Sequence, residues 1–408
     1  MPDVCQLAQL AFCDTFQTIV GGGRAGDLDP AKWSFTRATQ ANNPGAGIVN
    51  NYLPFNAEFC RERQVRLAPS DSFICGEHFG ESNHWMEGMT DGGSYMMNSL
   101  RARQPFDFAG RTGNVVWDVD AKTEGSHSFW PEVWLTDEPV QGPHEDHPGT
   151  HMYPRNGIGL VFDADWCGGA AQTMNALRTI EVFSNYQVSQ YYDVRSPCFT
   201  TQDDMANHFQ LKISSTNISV WASDAGGTGF REIANVSTQP LPLTRGYLSF
   251  QHAQYAAGKF NSTDTMTYHW HALGFDGPVL ATDRGYEVLD ALQKQSDGSI
   301  NLGYQTHTPT FTLPNVNLTG VAKAYLTYDV YWFSSPKTLV ANINGVDRAV
   351  SDPNPDWQKF GSYQWRYIVQ PIALSDLRAG SNTVTLKNTG CQDQCPTVAN
   401  IDLELVLN

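Results

Sequence analysis

Ser126-His-Ser-Phe-Trp-Pro-Glu-Val-Trp-Leu-Thr-Asp-Glu-Pro139 is the stretch on which the reading of this chain turns. Its aromatic and β-branched run, closed by Asp-Glu-Pro, describes one strand entering a loop. Alternate side chains of a strand share a face. Trp130, Glu132, Trp134 and Thr136 therefore point one way, and Pro131, Val133 and Leu135 the other. The second set is a core face. The first sets two indoles on either side of a carboxylate. Indoles stack on the C–H face of a sugar ring, and a carboxylate accepts sugar hydroxyls or works as an acid or base. The competing reading is a strand buried on both sides, with Glu132 paired to an arginine.

The chain has 408 residues, more than one ordinary core accommodates, so two domains are expected. Only 17% of residues are charged, while glycines number 35 and aromatics reach 12%. Short runs of Val, Thr, Tyr, Phe and Trp, broken by Gly, Pro, Asn and Asp, recur throughout, which is the pattern of an all-β protein. A net charge of −16 repels a phosphate backbone and argues against nucleic acid. A neutral polysaccharide is an easier partner than an acidic one. No apolar run is long enough to span a bilayer, so no membrane insertion is expected. Residues 1–12 lack the features of an intact signal peptide.

Eight cysteines (Cys5, Cys13, Cys60, Cys75, Cys167, Cys198, Cys391 and Cys395) suit disulfides and a secreted, extracellular protein. Sequence-adjacent pairing is suggestive, and Cys391-Gln-Asp-Gln-Cys395 would close a small loop. Asn217, Asn235, Asn261 and Asn317 begin Asn-x-Ser/Thr sequons, which become glycosylation sites in a host that glycosylates.

In order, Phe12-x-Asp-x-Phe16 reads as a strand, and Leu28-Asp-Pro-x-Lys-Trp33 as a turn delivering a tryptophan. Residues 95–103 are a strand holding Leu100-x-x-Arg103. Residues 114–121 are the next, with Val116, Asp118 and Asp120 opposite Val115, Trp117 and Val119. These motifs, followed by Trp130-Pro-x-x-Trp-Leu135, resemble the concanavalin-A-like lectin/glucanase superfamily, and within it the laminarinase and lichenase type β-glucanases. The resemblance covers roughly residues 10–275 and implies a jelly roll whose Trp-Pro-x-x-Trp-Leu strand lines a cleft. It also implies a following strand with Glu-x-Asp-x-x-Glu, carrying nucleophile, assisting Asp and acid/base.

This chain departs from that pattern. Its following strand is Gly157-Ile-Gly-Leu-Val-Phe-Asp163, with Ile158 and Leu160 set against the family's Glu and Asp, and only Asp163 matching a carboxylate. A retaining glycosidase needs two carboxyls about 5 Å apart. Any acid/base pair would be recruited from Asp118, Asp120, Glu132, Asp137, Glu138, Asp163 or Asp165, with Glu132 fitting best as the acid and Asp118, Asp120 or Asp163 as its partner. Trp117, with Trp130 and Trp134, is a candidate glycan contact, and Tyr186, Tyr191, Tyr192 and Trp221 would extend the aromatic cleft. An insert at 139–151 holds His144, His147 and His151, whose imidazoles beside Glu145 and Asp146 could hold a divalent metal. The cofactor expectation goes no further than a structural divalent cation such as calcium. His269-Trp-His271 reads as a hydrogen-bonded wall.

Residues 276–299 read as a linker with one helical turn at 286–293, and 300–408 as a second β-sandwich. Asn344-Gly345 is a tight-turn signal. Leu377-Arg-Ala-Gly-Ser-Asn-Thr-Val-Thr-Leu386 and Asn400-Ile-Asp-x-Glu-Leu405 resemble the carbohydrate-binding modules of the galactose-binding-like type. That resemblance implies sugar-binding aromatics, of which Trp332 and Trp365, with Trp357, are the candidates. The expected fold is thus a concanavalin-A-like jelly roll (1–275), a linker, and a β-sandwich module. The leading function is a secreted protein that binds polysaccharide along an aromatic groove. A glycoside hydrolase or lyase with rearranged carboxylates competes, as does a structural or surface-assembly protein.

Overall fold

The computed structural model describes residues 5, 7–16, 29–41, 93–124, 129–139, 154–163, 167, 174–202, 205–257, 265–287, 300–301, 310–331, 339–350, 366–389 and 396–408. The protein is all-β. Its first part comprises β1 (Leu10–Asp14), β2 (Trp33–Ala41), β3 (Gly93–Ala102), β4 (Phe106–Asp107), β5 (Gly113–Glu124), β6 (Phe129–Thr136), β7 (Asn156–Asp163) and β8 (Met174–Ser184). It continues with β9 (Gln187–Asp193), β10 (Phe199–Thr200), β11 (Asn207–Ser214), β12 (Asn217–Ala222), β13 (Arg231–Ser237), β14 (Arg245–Ala257) and β15 (Thr265–Asp276). Two sheets result: a six-stranded one in the order β1-β15-β5-β11-β12-β13, and a nine-stranded one built on β10-β8-β7-β6-β14-β3-β2.

Alternation in the sequence explains how the two sheets meet as a jelly-roll sandwich. Val133 and Leu135 of β6 join Ile158, Leu160, Ile180, Val182, Leu248 and Phe250 in one core cluster. From the other sheet Val115, Trp117, Phe209, Leu211, Ile213, Ile218 and Val220 enter the same cluster. Each fully buried Leu, Ile, Val or Phe contributes about 1.5–3 kcal/mol by leaving water. Trp33 closes one end: its ring lies against Phe12 and Phe16, and its Nε1 donates to Asp14 Oδ2 at 2.8 Å. The turn expected before it is present, with Lys32 and Trp33 amides donating to the Asp29 carbonyl. The Cys5–Cys13 and Cys167–Cys198 disulfides tie loops to this sandwich. The other four cysteines lie outside the described residues.

The second part comprises β16 (Arg284–Glu287), β17 (Ile300–Asn301), β18 (Thr310–Val316), β19 (Val321–Tyr331), β20 (Leu339–Ile343), β21 (Val346–Ala349), β22 (Arg366–Ile372), β23 (Gly380–Asn388) and β24 (Thr397–Leu407). They form sheets β16-β24-β19-β22, with β17 on β24, and β18-β23-β20-β21. Between them sits a separate core including Leu326, Tyr328, Val330, Ile343, Val384, Leu386, Ile401, Leu403 and Leu405. Asn344 and Gly345 both adopt positive φ (52° and 92°), as a two-residue hairpin turn requires. Residues 284–287, read from sequence as linker and partly as a helical turn, are instead an edge strand on β24. Strand pairing wins here, because Tyr286 and Glu287 find ladder partners in Leu403 and Asp402.

Candidate functional site

The site is built on the face of the nine-stranded sheet that turns away from the core. Cross-strand partners share a face. The register sets Glu132 between Gln251 and Val161, and Trp134 between Ser249 and Gly159. The Trp134 row runs on to Arg101 on one side and to Glu181 on the other. Trp134 Nε1 donates to Glu132 Oε2 at 2.7 Å, so the indole and the carboxylate expected on one face are bonded to each other. The indole lies across β7. A Cβ added to Gly159 would sit 2.5 Å from Trp134 Cη2, so only glycine leaves room for the ring. Phe183 flanks the indole at 5.4 Å between ring centres.

Glu132 and Trp134 are 1% and 0% exposed. The open groove expected at these two residues is therefore corrected: both are closed off from solvent. Trp130 occupies β6, but its side chain is outside the described residues, as is that of Asp163 on β7.

Several sequence expectations are overturned by which sheet a strand joins. Asp118 does not neighbour Glu132. Its strand, β5, belongs to the six-stranded sheet, and with Val115 and Trp117 turned inward, Asp118 faces out on the opposite side of the sandwich. Asp120 lies on the same strand, away from β6. Stacked sheets lie about 10 Å apart, so neither can share a reacting centre with Glu132. Trp117 is not a glycan platform: it is 2% exposed and stacked on Phe209 in the core. Trp221 does not extend the Glu132 face either. It lies in the six-stranded sheet, stacked on Phe230, with Lys212 Nζ 4.9 Å from its ring centre. Ile158 and Leu160 are core residues. The positions of β7 that share Glu132's face are Gly157, Gly159 and Val161, so the family's carboxylates are missing from these positions too. Trp332, Trp365, Trp357, His144, His147 and His151 lie outside the described residues. Among the described residues no group of three His, Cys, Asp or Glu side chains could hold a metal ion.

Asp118 has a different partner. Its carboxylate meets His208 Nδ1 across the β5–β11 pair, and Gly227 packs against the far side of the imidazole. Burial raises the Asp118 pKa, against the lowering effect of the His208 hydrogen bond and the charges of His208 and His271.

The largest feature missed by sequence reading lies at the Arg101 end of the Trp134 row. Arg101 and Arg103 converge there on a carboxylate of the second part. Both reach Glu404 of the second sandwich: Arg101 Nη2 at 2.9 Å, and Arg103 Nη1 at 2.9 and 2.7 Å from the two carboxylate oxygens. All three residues are at most 2% exposed. Burial works to raise the Glu404 pKa, but the two guanidiniums outweigh it and hold the carboxyl below its ordinary value. Arg103 Nε also donates to the carbonyls of Pro30 and Trp33 at 2.8 and 3.1 Å. A Cβ on Gly285 would fall 1.8 Å from Arg103 Nη1, so β16 passes directly over the guanidinium. Beside this cluster the Tyr247 hydroxyl donates to Asp283, and the Leu407 amide donates to Asp283 Oδ1 at 3.0 Å. The second sandwich is thus seated against the first through buried charge. The signal was present in sequence as Arg101-x-Arg103 and Asp402-x-Glu404, each pair on one strand face. Glu181, 1% exposed, was legible by the same parity but passed over.

No family model matches the chain, and no curated protein matches it. Among solved structures it is similar to the exoplasmic/lumenal domain of VIP36 in its metal-free form, at 11% identity and TM-score 0.35, over 66% of this chain and 93% of that one. It is also similar to a glycoside hydrolase family protein from Mycobacterium thermorestibile, at 12% identity and TM-score 0.34, over 65% and 100%. A legume lectin-like domain from Entamoeba histolytica matches at 11% identity and TM-score 0.31, over 44% and 78%. Likeness of this size leaves ligand and activity to be read from the site.

Proposed function

We propose that this chain is a secreted, polysaccharide-engaging protein, with residues 1–275 as its lectin- or glucanase-like unit and 300–408 as a binding-module-like unit. The supporting observation is the β6–β7 register. It pairs β6 with β7 from Thr136–Gly157 to Glu132–Val161 and holds the bonded Glu132–Trp134 pair on the outer face of the sheet. An aromatic ring beside carboxylate acceptors suits a sugar's C–H face and its hydroxyls. Glu132 and Trp134 then act as the buried floor that fixes β6, with Trp130 and Asp163 as the contacts. Two disulfides suit an oxidising compartment, and the net charge of −16 favours a neutral glycan. Among the described residues no helix is long and apolar enough to cross a membrane. A structural divalent cation at His144, His147 and His151 belongs to this proposal; loss of thermal stability on adding a chelator is its check.

The hydrolase reading draws on the same register. It keeps Glu132 of β6 as the acid and takes Asp163 of the neighbouring strand β7 as its partner. A carboxyl separation of about 5 Å would imply retention, and about 6.5–9.5 Å inversion. A glycan array run with a reducing-sugar assay separates the readings. Binding reads as retention of a neutral polysaccharide, weakened about tenfold or more in Trp130→Ala, with no new reducing ends. Hydrolysis reads as turnover that Glu132→Gln lowers about a hundredfold with binding kept. A parent that retains no glycan and releases no reducing ends refutes both.

A further inference from the structure

We infer that the seating of the second sandwich on the first is a pH-governed latch, with Asp283 as its sensing residue and Tyr247 as its catch. Asp283 follows the last strand of the first sandwich and precedes the first strand of the second. It is 3% exposed and touches both parts. From β14 the Tyr247 hydroxyl donates to its carboxylate; from β24 the Leu407 amide does the same; its own amide donates to the Arg103 carbonyl at 3.1 Å. The charged groups around it are Arg101 and Arg103 beside β3, Arg245 on β14 with Tyr247, and Glu404 on β24. Arg101 also lies over the Tyr247 ring, 5.5 Å from its centre.

Burial pushes the Asp283 carboxyl up to about 6, reinforced by Glu404 and opposed by the Tyr247 and Leu407 hydrogen bonds and by Arg101. A released Asp283 in water returns to the ordinary carboxylate value near 3.8. Between those values the seated form holds a proton that the released form has lost. Seating is therefore favoured by acid and weakens as pH rises from about 4 to about 6, with no further change from this group above that. Glu404 acts in the opposite sense. Held below its ordinary value, it supports seating above about pH 4.5 and fails only in stronger acid. The two together place the tightest seating near pH 4, between the ordinary values of the two carboxyls. From pH 4.5 to 7.5 the Asp283 contribution changes the seating equilibrium by about thirtyfold. The Arg101 end of the Trp134–Glu181 row, which carries the Glu404 contact, is what release would uncover.

Hydrogen exchange of the full chain tests this, read in peptides covering residues 283–287 and 402–408 and corrected for intrinsic exchange. Peptides of β11 and β12 serve as an internal control. Interface protection is expected to fall about thirtyfold from pH 4.5 to 7.5 in the parent. It should stay flat and high in Asp283→Asn, whose neutral amide keeps an oxygen for the Leu407 amide. Tyr247→Phe removes a donor that favours the ionised carboxyl, so its transition should move to higher pH. Equal parent protection at the two pH values overturns the latch, and so does an Asp283→Asn profile that follows the parent. Should Asp283→Asn fail to fold, an unmoved transition in Tyr247→Phe overturns it.

Discussion

Glu404→Gln is the sharpest test of how the two sandwiches are held together. The substitution keeps the shape of the side chain and removes one negative charge from between two buried guanidiniums. In the parent, Arg103 donates to both oxygens of this carboxylate at 2.9 and 2.7 Å, and Arg101 Nη2 forms an ion pair with it at 2.9 Å, with every participant at most 2% exposed. A glutamine offers one acceptor oxygen, so at least one guanidinium is left facing an amide N–H. Breaking a buried ion pair from one side costs about 3–5 kcal/mol, because the remaining charge has neither water nor partner. Against a typical stability of about 5–15 kcal/mol, that is a large fraction. With a urea slope of about 3 kcal/mol per molar, the unfolding midpoint should fall by about 1 M or more at pH 7. Tryptophan fluorescence during urea titration of the full chain reads it, and the parent's transition should split as the sandwiches uncouple. Arg101→Met, Arg103→Leu and Glu404→Leu combined should recover most of the loss, since removing all the charges removes the penalty. A Glu404→Gln midpoint within about 0.2 M of the parent, with no splitting, would falsify the claim that this cluster is buried and seats the second sandwich.

Gly285→Ala should lower thermal stability by about 1–3 kcal/mol, because its methyl meets an Arg103 guanidinium already pinned by Glu404 and two carbonyls; scanning calorimetry checks this. Gly159→Ala should cost a similar amount and also disturb the Trp134–Glu132 bond, visible as a shift in the indole N–H resonance, whereas an unmoved resonance would contradict the packing described. Asp118 carries a raised pKa, so it favours the folded state below its ordinary value and loses that contribution as pH rises through the raised one. Asp118→Asn should therefore flatten the acid side of the melting-temperature profile, measured from pH 4 upward. In a glycosylating host, Asn317, exposed in the turn before β19, should carry glycan, whereas Asn217 should not. The Asn217 Nδ2 already donates to Asn235 Oδ1 at 2.9 Å and to the Val236 carbonyl at 3.1 Å; glycopeptide mass spectrometry decides.

The sequence by itself determined the all-β class, the strand at 129–136 and its two faces. Period-two alternation is a local property, and Val133 and Leu135 needed only some apolar surface opposite to become core. The Asn344-Gly345 turn was equally local, because few other residue pairs take positive φ at both positions. The bond between Trp134 and Glu132 was half legible: shared parity put them on one face, but not in contact. What tertiary structure decided was which sheet each strand joined and what lay over each outer face. β5 and β6 are consecutive in the chain yet cross the sandwich, which carries Asp118 away from Glu132 and buries Trp117 against Phe209. No local pattern marks such a crossing, since both strands alternate alike. The same holds for Arg103 and Glu404, 301 residues apart. Each is an ordinary charged residue on its own strand, and only the low-dielectric contact made when two separate cores come together turns them into a buried pair.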